Sequence, residues 1–350
     1  MDEIMIIDKD GTMKNNINET ITFDDLLLVP QYSEILSRKT INLSSELDMN
    51  REFELPVISS PMDTVTGATM ASAMSKAGGF GIIHRYDSIE KQCDRIRRTN
   101  GTKSAAIGVT GDYLDRATAL IDSGCDILCV DVAHGHHALM RHALKTLRNT
   151  IGYDVHIMAG NVATLEAFND LVDWGADSVR VGIGGGSICS TRIQTGHGVP
   201  TLQSVIECSR SDRSAALIAD GGIKTPGDIV KAFAAGADFV MLGSMLAGTA
   251  ESPGQVFYGE NGQYKSYRGM ASVEAQIDWR GHTASVEGVS HTIPYKGSVT
   301  EILMGLDGSI RSGLSYTGAL NLSELRAKAK FIKQTAAGQT ESSTHIKSRY

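Results

Sequence analysis

The sequence predicts an α/β protein whose chain closes into a (β/α)8 barrel, the TIM barrel. Short, continuously apolar, β-branched runs recur through the middle of the chain, and each is followed by a stretch with helical periodicity. The starts of successive runs lie 22 to 29 residues apart, except for one interval of 38, as a strand, a helix and two loops require. An open, doubly wound sheet is the alternative, but eight evenly spaced units favour closure.

The eight predicted strands are apolar without alternation, which is typical of parallel strands covered on both faces. They occupy residues 56–60, 80–84, 104–108, 127–132, 156–160, 178–182, 216–220 and 239–243. The segments between them have helical periodicity, and several end in a glycine just before the next strand, as helix carboxyl termini do. Clear examples are 68–79, 116–126, 166–177 and 228–238.

Three regions are expected along the chain. Residues 1–50 form an N-terminal extension that packs on the barrel, residues 51–335 form the catalytic barrel, and residues 336–350 form a polar, loosely held tail. A polar, glycine-rich insertion over 250–298 follows the eighth strand and is predicted to be a flap. Insertions after strands six and eight lie at the carboxyl ends of the strands, where barrel active sites are found.

The composition and the net charge of the chain argue against some classes of function. Apolar residues make up 41% and charged residues 21% of 350 residues, which is typical of a soluble globular protein. The formal net charge of −7 argues against a nucleic-acid polymer as partner, and no apolar run has the length of a membrane span. The amino terminus is acidic where a signal peptide needs bases, and the five cysteines are irregularly spaced, so a reducing cytoplasm is expected.

Cys189 is the candidate nucleophile. It follows three glycines in the loop after strand six, and hydroxyls flank it at Ser187, Ser190 and Thr191. Main-chain N–H groups of such a loop stabilise a thiolate, and an exposed thiolate at a barrel mouth is suited to nucleophilic attack. A small loop cysteine with no role is the alternative. The other cysteines are expected to be structural, without a disulfide or a metal; they are Cys93, Cys125, Cys129 and Cys208.

Glycine-rich turns after strands seven and eight predict a phosphate site. The motifs ADGGI (219–223) and MLGSM (241–245) let main-chain amides approach phosphate oxygens, and Ser187 and Ser244 add hydroxyl donors. Asp220 would repel a phosphate, so it is expected to accept a hydrogen bond from a diol such as a ribose. The alternative is that both motifs are merely tight turns between a strand and a helix.

Further polar residues end the neighbouring strands. Asp131 and Asn161 occupy the ends of strands four and five and, with Arg180 on strand six, point at the cavity that holds Cys189. Glu287 is the carboxylate of the motif VEGVSHTIPYKG in the insertion, with an exposed, solvated side chain as the alternative. His134, His136 and His137 are too closely spaced to converge on one zinc ion, so no metal is expected there.

Taken together, several motifs resemble the IMP dehydrogenase/GMP reductase family over residues 20–345. They are TFDDLLLVP (22–30), SSPMDTV (59–65), MAGNV (158–162), GGGSICSTR (184–192), ADGGI, GADFVMLGSMLAG (236–248), YRGM (267–270) and PYKG (294–297). The resemblance implies a (β/α)8 barrel that binds purine 5′-monophosphates and forms a covalent bond from its loop cysteine to purine C2.

The resemblance also implies roles for individual residues. Cys189 is the nucleophile, with Thr191 and Glu287 as the pair that protonates the leaving amine. The phosphate is held by Ser187, Gly222, Gly243, Ser244 and Tyr267, and Asp220 binds the ribose. Ser60, Met62, Gly269, Met270 and Glu287 lie against the nucleotide and its base edge. Asp131 and Asn161 lie beside the nicotinamide with Arg180 supporting them, and main-chain carbonyls of Gly182, Gly184 and Cys189 resemble a K⁺ site.

The two activities of this family share the bond from cysteine to C2 and differ in what attacks the adduct. The segment between Met270 and Glu287, ASVEAQIDWRGHTASV, is short and lacks the Arg-Tyr pair with which the dehydrogenase activates water. The chain also lacks room for the regulatory domains that interrupt many dehydrogenase barrels. The resemblance therefore predicts a GMP reductase that uses NADPH to convert GMP to IMP and ammonia.

Two alternatives remain open at this stage. Arg85 stands where reductases carry a lysine, and RSGLSYTGA (311–319) resembles dehydrogenases, so an NAD-dependent IMP dehydrogenase without regulatory domains is the first alternative. A catalytically silent nucleotide-binding protein is the second, and the presence of Cys189, Thr191 and Glu287 argues against it. The resemblance further implies a homotetramer.

Overall fold

Five short strands precede the barrel. The structure is a computed structural model and describes residues 4–7, 13–17 and 19–342. The first strands pair as two hairpins, β1 with β2 and β4 with β5. Their bounds are β1 Ile4–Ile7, β2 Met13–Ile17, β3 Leu26–Leu28, β4 Ser45–Asp48 and β5 Arg51–Phe53.

Eight parallel strands then form a closed barrel. The barrel closes where the last strand pairs with the first, with Met241 opposite Ile58. This confirms the predicted (β/α)8 class, and the open doubly wound sheet is wrong. The strands are β6 Val57–Ser59, β7 Phe80–Ile83, β8 Ser104–Ile107, β9 Ile127–Asp131, β10 His156–Val162, β11 Ser178–Val181, β12 Ala216–Asp220 and β13 Phe239–Leu242.

Helices surround the barrel, and side-chain caps fix where several of them begin. Ser88, Thr164 and Thr225 each accept a hydrogen bond from a main-chain N–H of the first turn, and Pro226 follows the last of these caps. The helices of the barrel region are α1 Ala68–Lys76, α2 Ile89–Arg98, α3 Tyr113–Asp122, α4 Ala138–Ile151, α5 Leu165–Asp173, α6 Thr191–Thr195, α7 Thr201–Cys208 and α8 Pro226–Ala234. Those after the barrel strands are α9 Val273–Arg280, α10 Val299–Thr317, α11 Leu322–Lys328 and α12 Ala336–Glu341.

The interior of the barrel is closed at the amino-terminal ends of its strands. The rings of Phe53, Phe80 and Phe239 meet there, with centroids 4.5 to 6.2 Å apart. Phe53 belongs to β5, and Leu47 of the paired strand β4 is also buried in this cluster. The β4–β5 hairpin, which spans both sides of residue 50, therefore fills one end of the barrel and leaves the opposite end for a site.

The insertion after β13 folds into a small antiparallel sheet with α9 between its last two strands. The strands of this flap are β14 Phe257–Gly259, β15 Gly262–Arg268 and β16 Ser290–Pro294. Near the end of the chain, β17 Phe331–Lys333 pairs with β3, so the carboxyl-terminal segment returns to the N-terminal extension. The expected tail begins with α12, and residues 343–350 lie outside the described residues. In the described part of the chain, no helix combines the length and apolarity needed to cross a membrane.

Candidate active site

The carboxyl ends of the barrel strands surround a cavity of about 330 Å³. The structure brings every residue predicted for catalysis, substrate, cofactor or cation binding to the wall of this cavity, and the role of each stays a prediction. The residues are Ser60, Met62, Asp131, Asn161, Arg180, Gly182, Gly184, Ser187, Cys189, Thr191, Asp220, Gly222, Gly243, Ser244, Tyr267, Gly269, Met270 and Glu287.

The loop that carries Cys189 depends on glycine because it crosses the main chain of the neighbouring turn. Gly182 has φ of +144°, and a Cβ there would lie 1.9 Å from the carbonyl oxygen of Asp220. Gly184 also has positive φ, at +81°. Side chains at these positions would force the loop away from the barrel rim, so the glycines hold the thiol over the cavity.

A chain of hydrogen bonds runs from the thiol to a carboxylate. Cys189 Sγ donates to Thr191 Oγ1 at 3.1 Å, and Thr191 Oγ1 donates to Glu287 Oε2 at 2.8 Å. Ser285 Oγ donates to the other carboxylate oxygen, Oε1, at 3.2 Å. The Thr191 hydroxyl and the Glu287 carboxylate are thus placed to move a proton at a group bound to the sulfur.

The remaining cysteines differ from Cys189 in burial. All five cysteines are free thiols, and Cys189 alone among them is partly exposed. Burial raises the pKa of Cys125, Cys129 and Cys208 to about 12. Because the thiolate is the nucleophilic form, these three buried thiols are poor nucleophiles. The contrast in access supports Cys189 as the reactive cysteine.

The flap residues 287–289 pair with the cysteine loop along their main chain. Ser190 N donates to Glu287 O at 2.9 Å, and Val289 N donates to Ile188 O at 3.1 Å. Two main-chain hydrogen bonds therefore hold the main chain at Glu287 beside the main chain at Cys189.

The same flap residues pair on their other side with the segment that contains Met270. Glu287 N donates to Ala271 O and Gly269 N donates to Val289 O, both at 3.1 Å. The two segments approach closely because a Cβ on Gly269 would lie only 3.2 Å from the Cα of Gly288. Gly288 was not predicted as a site residue. Its only signal in the sequence is its place beside Glu287.

The end of the cavity predicted to hold a phosphate contains hydroxyls and a tight glycine turn. The hydroxyls of Ser187 and Tyr267 lie 3.5 Å apart. A Cβ on Gly243 would lie 3.2 Å from the Tyr267 hydroxyl, so the phenol crosses directly over the turn after β13. Burial raises the pKa of Tyr267. The phenol therefore keeps its proton and can donate a hydrogen bond to an anion.

A buried arginine joins the ends of three barrel strands. Arg180 NH1 donates to Asp131 Oδ1 at 2.6 Å, and its NH2 donates to Asp220 Oδ2 at 2.8 Å. Burial opposes its charge, but attraction to Cys129, Asp131 and Asp220 raises the pKa of Arg180 well above its ordinary value. The arginine stays charged and fixes both carboxylates at the cavity wall.

Asn161 contacts this network through Asp220 and not through Arg180. Its Nδ2 donates to Asp220 Oδ2 at 2.9 Å and to the carbonyl oxygen of Gly182 at 2.8 Å. The expected support of Asn161 by Arg180 is therefore indirect, because both side chains donate to the same carboxylate oxygen. Asn161 also ties the β10 end to the first glycine of the cysteine loop.

The loop after β7 meets the flap helix through aromatic stacking. The rings of Tyr86 and Trp279 stack with centroids 4.2 Å apart and an angle of 12°. The Arg85 guanidinium lies 5.3 and 5.4 Å from the centroids of these two rings, and its Nε is 4.0 Å from Asp131 Oδ2. Arg85 and Tyr86 line the cavity and also a second, adjoining cavity of about 770 Å³. Tyr86 thus lies where the two cavities adjoin, and Trp279 lines the second cavity.

The three histidines after β9 take separate positions. His136 Nε2 lies 2.8 Å from Asp170 Oδ2, and His137 caps α4 by accepting from Leu139 N at 3.0 Å. Within residues 4–7, 13–17 and 19–342, no three His, Cys, Asp or Glu side chains cluster as a metal site would require. His134, His136 and His137 thus do not converge on one point.

Comparisons with known proteins agree with this geometry. A family profile described as "IMP dehydrogenase / GMP reductase domain" matches residues 20–345. Inosine-5′-monophosphate dehydrogenase from Nitrosopumilus maritimus is 34% identical, with 93% of this chain and 98% of that protein covered. GMP reductase from Leishmania major is 33% identical, with 93% and 97% covered.

A solved structure is also similar. It is the crystal structure of a cysteine-to-alanine variant of GMP reductase from Trypanosoma brucei in complex with guanosine 5′-monophosphate. It superposes with a TM-score of 0.91 at 31% identity, covering 94% of this chain and 98% of the other.

The missing regulatory segment does not separate the two activities. The alignments with the Nitrosopumilus dehydrogenase and the Leishmania reductase extend over 470 and 476 positions, although this chain has 350 residues. Both relatives therefore carry inserted sequence that has no counterpart here, and the expectation that shortness favours the reductase loses its support. With a matching profile, matching relatives and a matching fold, the chain belongs to the IMP dehydrogenase/GMP reductase family of oxidoreductases, which act on small purine nucleotides with a nicotinamide cofactor.

Proposed function

We propose that this protein is a GMP reductase, which converts GMP to IMP and ammonia with NADPH. The observation that carries the proposal is the flap between Met270 and Glu287. This segment contains no Arg-Tyr pair to activate water, and its Glu287 reaches the thiol through Thr191. The polar groups at the sulfur therefore favour protonation of a leaving amine over hydrolysis.

The phosphate and the base of the substrate are proposed to bind at opposite ends of the cavity. In the proposal, the phosphate of GMP is held at the turns of Gly222 and Gly243 with the hydroxyls of Ser187, Ser244 and Tyr267. Main-chain amides of such turns match an anion, and the neutral phenol adds a donor. Asp220 binds the ribose. Ser60, Met62, Gly269 and Met270 lie along the nucleotide and its base.

The chemistry begins at Cys189. Its sulfur adds to C2 of the guanine ring, and the Thr191–Glu287 pair protonates the exocyclic amine, which leaves as ammonia. The nicotinamide, when bound, supplies a hydride to C2, and the bond from sulfur to carbon then breaks to release IMP. Overall, GMP, NADPH and one proton give IMP, NADP⁺ and ammonia. A nucleophilic thiol followed by acid catalysis divides one difficult substitution into two steps.

The residues present fit a nicotinamide dinucleotide. Asp131 and Asn161 line the nucleotide cavity, Arg180 fixes Asp131, and Asp131 lies 4.0 Å from Arg85, which lines both cavities. The second cavity of about 770 Å³ has room for the remainder of a dinucleotide. Its walls include the cationic side chains of Lys91, Arg116 and Arg280 and also the carboxylates of Asp87, Asp112 and Asp278. Arg116 and Lys91 lie 2.7 and 3.9 Å from Asp112 and Asp87, so in the proposal Arg280 is the cation that would meet a phosphate group of NADPH.

The cysteine loop also fits a monovalent cation held by main-chain carbonyls. Cys189 and Gly288 face each other, but the hydrogen bonds run between their neighbours, from Ser190 N to Glu287 O and from Val289 N to Ile188 O. The Cys189 carbonyl is therefore not used by this pairing. With the carbonyl of Gly184, and that of Gly182, which also accepts from Asn161 Nδ2, it would offer oxygen ligands to K⁺, and such an ion would hold the loop in one conformation.

IMP dehydrogenase is the second candidate. Arg85 and Tyr86 are an adjacent arginine and tyrosine on the wall of the Cys189 cavity, although they lie after β7 and not on the flap. A flap base such as Arg280 would be an alternative water activator, but the Arg280 side chain lines the second cavity and lies 4.4 Å from the centroid of Trp279. An activated water would thus have to depend on Arg85 and Tyr86.

The assembly is proposed to be a homotetramer in the cytoplasm. Exposed apolar side chains near the N-terminal extension offer contact area for such an assembly, among them Tyr32, Leu36 and Met49. Light scattering coupled to size exclusion measures the mass of the assembly directly.

A crossed steady-state assay tests the function. The purified protein is given GMP or IMP with each of NADPH, NADH, NAD⁺ and NADP⁺, and absorbance is followed at about 340 nm together with ammonia release. Loss of absorbance with GMP and NADPH, matched by ammonia, is the expected result. A gain of absorbance with IMP and NAD⁺ would instead identify the dehydrogenase.

A further inference from the structure

We propose that Gln276 is a positioning residue that holds Glu287 against Thr191. This inference rests on the proposed function in one respect, namely that Glu287 takes part in the chemistry at Cys189. Gln276 lies on α9 and does not belong to the cavity wall. It would therefore act through Glu287 and not on the substrate.

The Gln276 side chain is buried and fully engaged. It is 3% exposed. Its Nε2 donates to Ala271 O and to Ser285 O, both at 3.0 Å, and its Oε1 accepts from Ala284 N at 2.8 Å. All three bonds reach main-chain atoms, so the amide joins the start of the flap helix to the loop that follows the helix. Buried amides keep such bonds because an unpaired polar group is unfavourable there.

The atoms that Gln276 holds are the ones that hold Glu287. Ala271 O accepts from Glu287 N at 3.1 Å as well as from Gln276. Ser285, whose carbonyl accepts from Gln276, donates from its hydroxyl to Glu287 Oε1 at 3.2 Å. Gln276 thus fixes both the main chain and the carboxylate of Glu287.

Helix α9 also makes contacts with the rest of the protein that do not depend on Gln276. Ser272 caps its amino terminus by accepting from Ala275 N at 3.2 Å, and Trp279 stacks on Tyr86 near its carboxyl terminus. Loss of the Gln276 amide is therefore expected to free the Glu287 loop while α9 stays docked.

Two substitutions remove different sets of the three Gln276 hydrogen bonds. Gln276→Met keeps the length of the side chain and removes all three hydrogen bonds. Gln276→Glu keeps an acceptor for Ala284 N but sets a carboxylate against two carbonyl oxygens. Because small misplacements of a catalytic group are costly, we expect kcat to fall roughly ten- to a hundred-fold in both variants. The KM for the nucleotide should change less than about twofold, since the phosphate is bound at the other end of the cavity.

A double-mutant cycle tests whether Gln276 acts through Glu287. The four proteins are wild type, Gln276→Met, Glu287→Gln and the double variant, with kcat, KM and thermal midpoint measured for each. The expected result is a double variant no slower than Glu287→Gln alone, because a carboxylate that is already absent cannot be misplaced. Glu274→Gln is the control, since this exposed residue of the same helix donates nothing to the loop and accepts from Ser290 Oγ at 2.6 Å.

Failure of this inference is distinct from failure of the proposed function. Assays of the wild-type protein decide between reductase and dehydrogenase. The double-mutant cycle then uses the reaction that the wild-type protein catalyses. Rate losses that multiply in the double variant, or a Gln276→Met enzyme with the wild-type kcat, would overturn the role of Gln276. If Gln276→Met does not fold, Gln276→Glu takes its place in the cycle and is judged by the same two outcomes.

Discussion

Thr191 donates a hydrogen bond of 2.8 Å to Glu287, a residue 96 positions further along the chain. Thr191 is the first residue of α6, directly after the cysteine loop, whereas Glu287 belongs to the flap. Because the Cys189 thiol donates to the same hydroxyl, one flap residue completes the polar surroundings of the sulfur. Activity should therefore depend on the flap as strongly as on the cysteine loop.

The first prediction concerns this pair. Thr191→Val removes the hydroxyl but keeps its size, and we expect kcat for GMP to fall by roughly 10²- to 10⁴-fold, the range typical of lost acid–base catalysis. Rapid-mixing measurements of ammonia release check the step directly. Thr195 is exposed on the same helix, and its hydroxyl donates to the main-chain carbonyl of Thr191 and accepts from His197 N. Thr195→Val should therefore leave the Thr191 hydroxyl in place and the rate within about twofold of wild type. A Thr191→Val enzyme of normal rate would exclude the hydroxyl from proton transfer.

The second prediction concerns the thiol. Cys189→Ala should abolish turnover and still bind GMP, because the phosphate and ribose contacts of the proposed function do not involve sulfur. Calorimetry measures the binding, and mass spectrometry of wild type with substrate looks for the covalent adduct. Turnover retained by the alanine variant would remove covalent catalysis from the mechanism.

Tyr267 provides the third prediction. Tyr267→Phe should weaken GMP binding by roughly tenfold or more, since a hydrogen bond to a charged group contributes about 1.5–3 kcal/mol. The loss should vanish with guanosine, which has no phosphate. Calorimetry or inhibition constants for both ligands make the comparison. Equal losses for GMP and guanosine would show that Tyr267 does not contact the phosphate.

The fourth prediction concerns acid stability. Burial, followed by the nearby charge of Arg95, lowers the pKa of His84 from 6.5 to about 4. Between these two values the unfolded chain binds a proton that the folded protein does not, so stability falls as pH decreases from about 6.5 to 4. The contribution of this histidine is on the order of 3 kcal/mol.

Replacing this histidine tests the assignment. His84→Gln keeps an acceptor for the Arg95 guanidinium, which lies 2.7 Å from His84 Nε2. Urea unfolding at several pH values should show a shallower decline for the variant than for wild type across that window. His282→Gln, a change at an exposed histidine, should follow the wild-type curve. Parallel curves for His84→Gln and wild type would contradict the assignment.

The barrel could be predicted because its signal is local and repeated. Each strand is a short apolar run buried on both faces, and residues such as Val179 and Val240 have no exposed surface. The flap sheet was not predicted, because β14 is exposed at all three positions and carries no apolar periodicity. Its strands are defined by pairing with β15 and β16, which a sequence pattern does not reveal.

The candidate site could likewise be predicted from the sequence only in part. Strand ends converge in any parallel barrel, so order along the chain was enough to place Asp131, Asn161 and Asp220 at one rim. Gln276 gave no such signal, since its partners are main-chain atoms that any sequence supplies. Trp279 could have been noted as one of two tryptophans, but its stacking on Tyr86 depends on how the flap docks.

The phenylalanine cluster at the base of the barrel has a kinetic consequence. Because Phe53, Phe80 and Phe239 fill that end, the nucleotide and the dinucleotide of the proposed function would both enter at the opposite rim, beneath the flap. Because the two cavities adjoin at Tyr86, each bound reactant should slow the exchange of the other with solvent. Tyr86 stacks on Trp279 of the flap, so the rate at which this stack opens should limit the rate at which products leave.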